Sequence, residues 1–273
     1  MQSNGRESIE GMDTTGSTTT RELQVAARVG RPPALPYLIE LAETSGDVQA
    51  AQRLRYKVFA EEMGASLTSG IDRDPFDPYC DHLLVRERHT AQVVGTYRIL
   101  TAERAREAGG FYSANEFDLS RLSGLGRIVE VGRACVHPDH RDGVVISLLW
   151  AGLLDYIWSR GFDHVIGCAS VRVTDSGRSA MSVCNRLKRN HMSSADRRVF
   201  PYRPFLLDEG VEDEDDQVPP LIKGYLRLGA SVCGDPAWDQ DFRTADLLLM
   251  LSVADLNPRY ASGLRRRAAR GRA

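Results

Sequence analysis

The sequence predicts a mixed α/β fold, a single sheet with helices on both of its faces. One observation is a strand–helix–strand unit with short links, in which the strand candidates Ile128–Val136 and His164–Val171 flank a long apolar helix over residues 144–160. Two strands joined in this way pair in parallel. The other observation is a pair of strand-like runs, His82–Val85 and Val93–Leu100, which a polar turn separates as in an antiparallel hairpin. Parallel and antiparallel pairs together predict a mixed sheet.

An amphipathic helix is predicted over residues 47–64, upstream of the hairpin. Asp47 is its candidate N-cap, and Gly64 ends the pattern. Its apolar residues form one stripe, which indicates that this face packs on the core: Val48, Ala51, Leu54, Val58 and Phe59. Towards the C-terminus, the pattern predicts two more helices and a last strand: Ser179–Asn190, Pro220–Leu228 and Asp246–Val253.

The chain is expected to form one domain between two tails. At 273 residues it is near the upper size of a single domain, which we place at residues 34–260. Residues 1–33 are rich in Thr, Gly, Ser and Arg and predict a flexible tail, since such a stretch buries little apolar area. Residues 261–273 predict a basic tail, because the end of the chain, RYASGLRRRAARGRA, carries six arginines and no acidic residue. Such a tail is either solvated or bound to an anionic membrane, where each cation contributes about 1 kcal/mol.

Composition argues against several classes of protein. Lys+Arg 35 against Asp+Glu 37 gives a net charge of −2, which removes the strongest argument for a nucleic-acid binder. Five scattered cysteines without a CxxC pair argue against a disulfide framework and a structural zinc site, and they fit a reducing cytoplasm. The longest apolar run, 144–158, is interrupted by Ser147 and Asp155 and is shorter than the about 20 residues that span a bilayer. We therefore expect a cytoplasmic protein, with peripheral contact at the inner face of the membrane as its only membrane association.

The turn from the Ile128–Val136 strand into the next helix is a candidate anion site. The amides of the first helical turn, Asp142–Ile146, have no partners inside the helix and lie at the positive end of its dipole. Such amides bind a phosphate or a row of amide carbonyls, and Arg141 adds a positive charge at the same place. The alternative is a plain turn that binds nothing.

This turn resembles the acyl-donor loop of the GCN5-related N-acetyltransferase fold, which implies a fold of that kind. The loop of that family reads Arg or Gln, two residues, Gly, one residue, and Gly or Ala. Small residues there let the backbone approach the diphosphate of coenzyme A, whereas the pantetheine arm of an acyl carrier protein carries a single phosphodiester. Here both small positions are β-branched, so we expect acyl carrier protein as the donor and no resident cofactor. The six residues expected to bind its 4′-phosphopantetheine are Arg141, Asp142, Gly143, Val144, Val145 and Ile146.

Polar positions in the chain resemble those of acyl-homoserine-lactone synthases in order and spacing. They are Arg55-Tyr56-x-Val58-Phe59, Asp74-x-x-Asp77, Val94-Gly95-x-x-Arg98-x-Leu100 and Glu130-x-x-Arg133. A more specific resemblance covers residues 35–260 and is to the L-ornithine Nα-acyltransferase family, also described as hemolysin-like. Six blocks carry it in order: Leu54–Gly64, Phe76–Leu83, Gly110–Asp118, Gly132–Pro138, Arg141–Gly143 and Pro219–Ala230.

The resemblance implies transfer of a long, often 3-hydroxylated, fatty acyl group from a thioester to the α-amine of ornithine, which gives lyso-ornithine lipid. The amine must lose a proton, and its ordinary pKa of about 8 leaves much of it protonated at neutral pH. Glu130, on the strand beside the donor loop, is the candidate base, and an ion pair with Arg133 is its alternative role. Regular alternation would place these two side chains on opposite faces. We therefore expect a bulge at Gly132, which brings them together and frees a backbone N–H for the thioester oxyanion.

Charged residues of the same motifs are candidates for binding the amino acid, and each has a structural ion pair as its alternative role. One of three arginines is expected to bind the carboxylate in a two-point contact: Arg55, Arg98 or Arg133. One of three acids is expected to receive the side-chain ammonium: Asp74, Asp77 or Asp81. Candidate residues for an apolar slot around the acyl chain are Val93, Ile99, Trp150 and Phe162.

A basic stretch, Arg186–His191 with Arg197 and Arg198, is either a docking surface for an acidic carrier protein or a solvated helix face. We expect no metal, since His137 and His140 lack a third ligand.

Two other classes of function compete with the acyltransferase. One is a signal synthase that makes acyl-homoserine lactone from S-adenosylmethionine, but the tryptophan motif of that family is replaced around Glu130. The other is a membrane-active, lytic protein, as the name hemolysin suggests. A lytic protein needs a segment that enters lipid, and the sequence predicts none.

Overall fold

A computed structural model of the chain describes residues 35–67, 70–174, 176–207 and 217–271. Ten strands lie among these residues: β1 (Tyr37–Leu41), β2 (Asp81–Glu87), β3 (Val93–Thr101), β4 (Phe117–Asp118), β5 (Ile128–Val136), β6 (His164–Arg172), β7 (Phe200–Pro201), β8 (Ser231–Val232), β9 (Ala237–Asp239) and β10 (Thr244–Ser252). Eight of them form one sheet in the order β1-β2-β3-β5-β6-β10-β8, with β9 beside β10, and β4 pairs with β7. In the large sheet β5 and β6 are parallel and the other pairs are antiparallel, which confirms the predicted mixed sheet.

Helices cover both faces of this sheet, as predicted. The α-helices of the described residues are α1 (Ser45–Tyr56), α2 (Ala102–Glu107), α3 (Val144–Arg160), α4 (Arg178–His191), α5 (Pro220–Leu228) and α6 (Pro258–Gly271). Successive residues of β2 separate the two faces, because Leu83 and Val85 belong to the apolar cluster of α3 and Leu84 belongs to that of α1. No helix in the described part of the chain is long and apolar enough to cross a bilayer.

The helix predicted over residues 47–64 is α1 followed by a π-helical segment, Lys57–Glu62. It begins earlier than expected because Thr44, rather than Asp47, is the N-cap. The Thr44 hydroxyl accepts a hydrogen bond from the Asp47 backbone N–H, and the Asp47 carboxylate accepts one from the Thr44 backbone N–H. This reciprocal capping satisfies two amides at the helix start.

The two predicted tails have different outcomes. Residues 1–33 lie outside the described residues. At the other end, the segment 261–273 expected to be a basic tail belongs largely to α6, which continues to Gly271. Ala261 and Leu264 are buried in the apolar cluster of α3. They are three positions apart on one helix face, so a short apolar stripe anchors this arginine-rich helix.

Strand β5 carries the predicted bulge. On the edge that pairs with β3, Tyr97 alone faces two residues of β5, Arg133 and Ala134. Arg133 has a φ of 50°, a left-handed conformation that is uncommon outside glycine. The bulge expected at Gly132 is therefore confirmed, one residue further along the strand.

On its other edge β5 separates from β6. Their parallel register has three residue pairs and ends at Glu130 and Ile166. The next residue of β6 is Gly167, where a Cβ would lie 2.3 Å from the Val131 carbonyl oxygen, so only glycine fits the narrow end of the gap. Beyond this point β5 and β6 no longer pair through backbone hydrogen bonds. The candidate site lies in the gap between them.

Candidate active site

A cavity of about 650 Å³ occupies the gap between β5 and β6. Its lining includes the consecutive residues 130–136 of β5 and 165–170 of β6. Because side chains alternate along a strand, consecutive lining residues mean that the cavity reaches both faces of the sheet. A cavity of this volume accommodates a small-molecule substrate.

The part of the cavity on one face is polar, and we call it the polar chamber. Ile128 and Ile166 belong to the apolar cluster of Phe117 on this face, and alternation directs Glu130 and Cys168 to the same side. The polar side chains that line this chamber are Arg98, Tyr112, Glu130, Arg133, Cys168, Ser170, Asp239 and Asp246.

The part on the other face, which we call the apolar chamber, lies under α3 and α5. At Gly224 of α5 a Cβ would lie 1.8 Å from Cη2 of Trp150, so the helix approaches this ring only because it carries glycine there. Trp150 lines the chamber as predicted, whereas Val93, Ile99 and Phe162 are buried outside the cavity lining. The apolar side chains of this part of the lining include Trp150, Leu153, Leu154, Ile157, Val165, Leu221, Tyr225, Leu228 and Leu251.

Glu130, the predicted base, lies in the polar chamber with 4% of its surface exposed. Its two carboxylate oxygens accept hydrogen bonds from the backbone N–H groups of Tyr112 (2.6 Å) and Ser113 (2.8 Å). Burial raises the pKa of Glu130, and these hydrogen bonds only partly oppose the change. The carboxyl group is thus held in one orientation and keeps a proton more readily than an exposed glutamate.

Arg55 is fully buried and holds two aspartates inside the protein. Its Nε donates to Asp72 Oδ2 (2.8 Å), and its two terminal nitrogens donate to Asp77 Oδ1 (2.9 Å) and Oδ2 (3.0 Å). Burial alone would raise the pKa of Asp77, but the hydrogen bond and charge of Arg55 outweigh it and hold the pKa well below its usual range. Neither Arg55 nor Asp77 lines the cavity. These two residues therefore take the alternative role given to them above, a structural ion network, and not the role of binding the amino acid.

Arg98 and Arg133 are the two predicted arginines that line the polar chamber. Arg98 donates to Asp74 and Asp77, and Arg133 lies 3.2 Å from carboxylate oxygens of Asp72 and Asp74. The carboxylates of Asp72, Asp74 and Asp77, which are buried or half-buried, therefore hold both guanidinium groups in fixed positions. Each arginine can meet a ligand only with the part of its guanidinium that faces the chamber.

Aromatic rings orient Arg133 further. Its guanidinium carbon lies 4.8 Å from the ring centre of Tyr112 and 4.6 Å from that of Phe242. The bulge does bring Arg133 to the chamber of Glu130, but the ion-pair partners of Arg133 are aspartates. The ion pair between Glu130 and Arg133, which was the alternative role, does not form among the described residues.

The three acids expected to receive an ammonium group do not line the cavity. Asp74 and Asp77 are bound to arginines, as described above. Asp81 lies apart and accepts a hydrogen bond from the Tyr156 hydroxyl (2.6 Å). The alternative role, a structural ion pair, therefore applies to Asp74 and Asp77, whereas Asp81 is exposed, is bonded to a neutral hydroxyl and lies outside the cavity lining.

Arg141, at the predicted donor corner, lines the cavity but is not a free cation. It forms a two-point ion pair with Glu62 (2.6 and 2.7 Å), and its Nε donates to the Val136 carbonyl oxygen (3.1 Å). The carboxylate of Glu62 compensates most of the positive charge that the sequence predicts at this corner.

The start of α3 is also partly satisfied. Gly143 precedes the helix with a φ of 89°, and the Asp142 carboxylate accepts a hydrogen bond from the Val144 backbone N–H (2.9 Å). Val145 is fully buried in the core, whereas Gly143 and Ile146 line the cavity. The six predicted donor-loop residues thus divide between cavity lining, helix capping and core.

The sequence analysis missed one group at the edge of the polar chamber, of which Cys168 and Asp246 line the cavity and Glu116 lies beside them. Glu116, Cys168 and Asp246 come from three separate segments, and their carboxylate and thiol atoms lie within 4.8 Å of one another. A signal was present, because Asp246 is a charged residue at a buried position of the otherwise apolar run 245–251. Glu116 also lies in one of the six blocks that carry the family resemblance.

Comparisons of the sequence identify similar acyltransferases. A family model described as an acetyltransferase (GNAT) domain matches residues 54–151. An L-ornithine Nα-acyltransferase from Brucella abortus (strain 2308) is 37% identical over 246 residues, covering 82% of this chain and 87% of the relative. One from Rhizobium meliloti (strain 1021) is 34% identical, covering 92% and 94%.

Solved structures share the fold. The CoA-dependent acyl-homoserine lactone synthase BjaI superposes with a TM-score of 0.51 at 16% identity, covering 85% of this chain and 90% of its own. FeeM, an N-acyl amino acid synthase from uncultured soil microbes, gives a TM-score of 0.50 at 12% identity, covering 80% and 93%. The mixed sheet is thus the GNAT-like fold that the donor-loop resemblance implies.

Proposed function

Because the chain belongs to the L-ornithine Nα-acyltransferase family, we propose that it transfers a 3-hydroxylated fatty acyl group from acyl carrier protein to the α-amine of ornithine. The product is lyso-ornithine lipid. The observation that supports this most strongly is the single cavity with a polar chamber on one face of the sheet and an apolar chamber on the other. An amino acid in the first and a fatty chain in the second meet at a thioester in the gap between β5 and β6.

Glu130 is the proposed base. The amine nitrogen attacks the thioester carbonyl carbon, so that a C–N bond forms and the C–S bond breaks. The amine proton passes to Glu130 directly or through one water, and the pantetheine thiolate leaves and takes a proton. Burial and the raised pKa of Glu130 suit this role, because they bring its proton affinity closer to that of the amine. We propose that a backbone N–H at the Arg133 bulge stabilises the thioester oxyanion, and the interruption of regular pairing with β3 at this bulge supports the proposal.

Arg98 and Arg133 are proposed to bind the α-carboxylate of the amino acid. They are the two arginines of the polar chamber, and both are pre-oriented by aspartates. A fixed guanidinium loses little side-chain entropy when it binds a carboxylate. Binding there leaves the α-amine on the side of Glu130, which lines the same chamber.

The acyl donor is proposed to enter at the start of α3. The ion pair of Arg141 with Glu62 and the carboxylate of Asp142 leave little free positive charge there. A diphosphate would bind weakly at this corner, because its negative charge finds little positive charge there. A single phosphodiester carries less negative charge and needs less positive charge to balance it. This charge balance supports the phosphopantetheine of acyl carrier protein rather than coenzyme A as the donor.

The basic end of α4 is the proposed docking surface for the acidic carrier protein. The last turn carries Lys188, Arg189 and His191, and Arg197 and Arg198 follow after a short link. We further propose that the reaction takes place at the cytoplasmic side of the membrane, with the exposed Arg259 and Arg266 of α6 in contact with anionic lipid.

The direct test is to incubate the purified full-length protein with 3-hydroxyacyl carrier protein and ornithine and to detect the acyl amide by mass spectrometry. We expect Nα-acyl ornithine from the carrier-protein donor, and much less from the matching acyl coenzyme A. A parallel reaction with S-adenosylmethionine tests for acyl-homoserine lactone. If that lactone is the only product, or if no amide forms, the proposed function is wrong.

A further inference from the structure

The acidic group of Glu116, Cys168 and Asp246 meets the polar chamber through Cys168 and Asp246, which line it, and has no counter-charge of its own. The Glu116 carboxylate lies 3.7 Å from the Cys168 thiol, and Asp246 completes the group within 4.8 Å. Glu116 and Asp246 are 9% and 3% exposed, so both carboxyl groups are withdrawn from solvent. Asp239 on β9 adds a third acidic side chain to the same chamber.

Asp246 presents an unused acceptor to the cavity. Its Oδ1 has no hydrogen-bond partner among the described residues, although Asp246 lines the chamber. A buried polar atom without a partner costs free energy, so a ligand that donates a hydrogen bond there is stabilised. Burial and the neighbouring acids raise the pKa of both Glu116 and Asp246, although the hydroxyl groups of Thr244 and Ser170 beside Asp246 and the hydrogen bond from Cys168 to Glu116 partly oppose this rise.

The nearest cation of the chamber is already engaged. Arg133 lies 3.2 Å from both Asp72 and Asp74 and is held between aromatic rings. The acid group therefore receives only a long-range interaction from Arg133. It has the properties of a binding site for a donor-rich cation that arrives with the substrate.

We propose that Asp246, with the carboxyl group of Glu116 beside it, binds the side-chain ammonium of a diamino-acid acceptor; the inference rests on the proposed function and names the residues that select ornithine. An ammonium group carries three N–H donors and a full positive charge, which match two carboxylates. The role that the sequence analysis assigned to Asp74, Asp77 or Asp81 thus belongs to a different part of the chain.

The spacing along the sheet fits this substrate. Glu130 is opposite Ile166 in the parallel register, and Cys168 is two residues further along β6 on the same face. Two residues of a strand span about 7 Å. The two nitrogens of an extended ornithine are separated by five single bonds of about 1.5 Å, or roughly 6 Å. An acceptor with its α-amine near Glu130 therefore reaches the acid group with its second ammonium.

The test compares two acceptors that differ in this ammonium alone: ornithine, and norvaline, which has the same carbon chain without the second amine. For the wild-type protein with 3-hydroxyacyl carrier protein, we expect kcat/KM to favour ornithine by about 10- to 100-fold, since a charged, buried hydrogen bond is lost with norvaline. Asp246→Asn and Glu116→Gln should each lower kcat/KM for ornithine by about tenfold or more and lower it less for norvaline, so that the ornithine-to-norvaline ratio falls. A loss of folding or of donor binding lowers both rates equally, so the ratio of the two rates separates the ammonium site from such losses.

Four outcomes overturn the inference. Equal rates of the wild type with ornithine and norvaline would reject the ammonium site while leaving the acyltransferase function in place, and this result does not depend on whether a variant folds. An unchanged ornithine preference in both variants would do the same. If EDTA abolishes the preference and added Zn²⁺ restores it, the group holds a metal ion instead. Failure to acylate any amino acid would reject the proposed function itself, and the inference with it.

Discussion

Arg141 and Glu62 form a two-point ion pair that joins the start of α3 to the π-helical segment after α1, with N–O distances of 2.6 and 2.7 Å. The side chains are 42% and 40% exposed. Exposed ion pairs contribute less than about 1 kcal/mol to the free energy of unfolding. The main effect of this pair is therefore electrostatic, because Glu62 balances the positive charge of Arg141 beside the cavity.

Arg141→Ala is expected to raise the KM for acyl carrier protein by roughly fivefold without changing the KM for ornithine, because a phosphodiester contact is worth about 1 kcal/mol at an exposed site. Glu62→Gln leaves the guanidinium in place and should not raise that KM. Steady-state kinetics with the carrier protein as the varied substrate measure both. An equal rise in the two variants would show that Arg141 only supports the loop.

Gly224→Ala is expected to destabilise the protein by about 1–3 kcal/mol, because its Cβ would lie 1.8 Å from the Trp150 ring. Helix propensity alone predicts the opposite sign, since alanine is favoured over glycine by about 1 kcal/mol inside a helix. Urea unfolding measures the change. Gly124→Ala, where a Cβ meets nothing within 4 Å, is the matched control.

The double variant Gly224→Ala/Trp150→Phe should recover part of the lost stability, since the smaller ring gives room to the added methyl group. If Gly224→Ala alone is as stable as the wild type, the apolar chamber is wider than the structure shows. In that case α5 does not fix the position of Trp150.

Local signals predicted the elements that position the site. The parallel unit of β5, α3 and β6 was predicted from hydrophobic periodicity and from Gly161, which ends the helix. The bulge was predicted because regular alternation would place the side chains of Glu130 and Arg133 on opposite faces of the strand, whereas their assigned roles need them on one face. These signals lie within a few residues of one another. Sequence patterns predict such features because turn and strand chemistry are local.

The roles of the charged residues were less predictable. Arg55 meets Asp72 and Asp77 across 17 and 22 residues, and nothing in residue type separates a buried ion network from a substrate clamp. Folding alone decides which guanidinium faces the cavity. In the same way Glu116 and Asp246 are 130 positions apart, so their contact depends on the topology of the sheet.

Arg55→Met is expected to destabilise the protein by about 3–5 kcal/mol, because it leaves Asp72 and Asp77 buried without their counter-charge. Arg104→Met is the control, since Arg104 is half exposed in its ion pair with Glu107 and should change the unfolding free energy by less than about 1 kcal/mol. Similar losses in the two variants would contradict the structural role of the network.

The same network predicts a dependence of stability on pH. The pKa of Asp77 is lower in the folded protein than its ordinary value of about 4, so the ionised carboxylate stabilises the fold. That contribution is complete above about pH 5 and is lost progressively as the pH falls below 4. Unfolding free energies between pH 7 and pH 3 should therefore fall more steeply for the wild type than for Arg55→Met. Parallel curves would show that Arg55 does not set this pKa.

Glu130→Gln is expected to lower kcat by about 100- to 10,000-fold, because an amide cannot accept the proton of the attacking amine. The KM for ornithine should change little, since Arg98 and the acid group remain. The wild-type kcat/KM should rise with pH through the raised pKa of Glu130, because the carboxylate must be ionised to act as base, and this limb should be absent in the variant. The amide nitrogen that the substitution introduces would face one of the two backbone N–H donors of Tyr112 and Ser113, so the unfolding free energy of the variant is measured alongside. A folded Glu130→Gln with turnover close to wild type would clear Glu130 of the role of base.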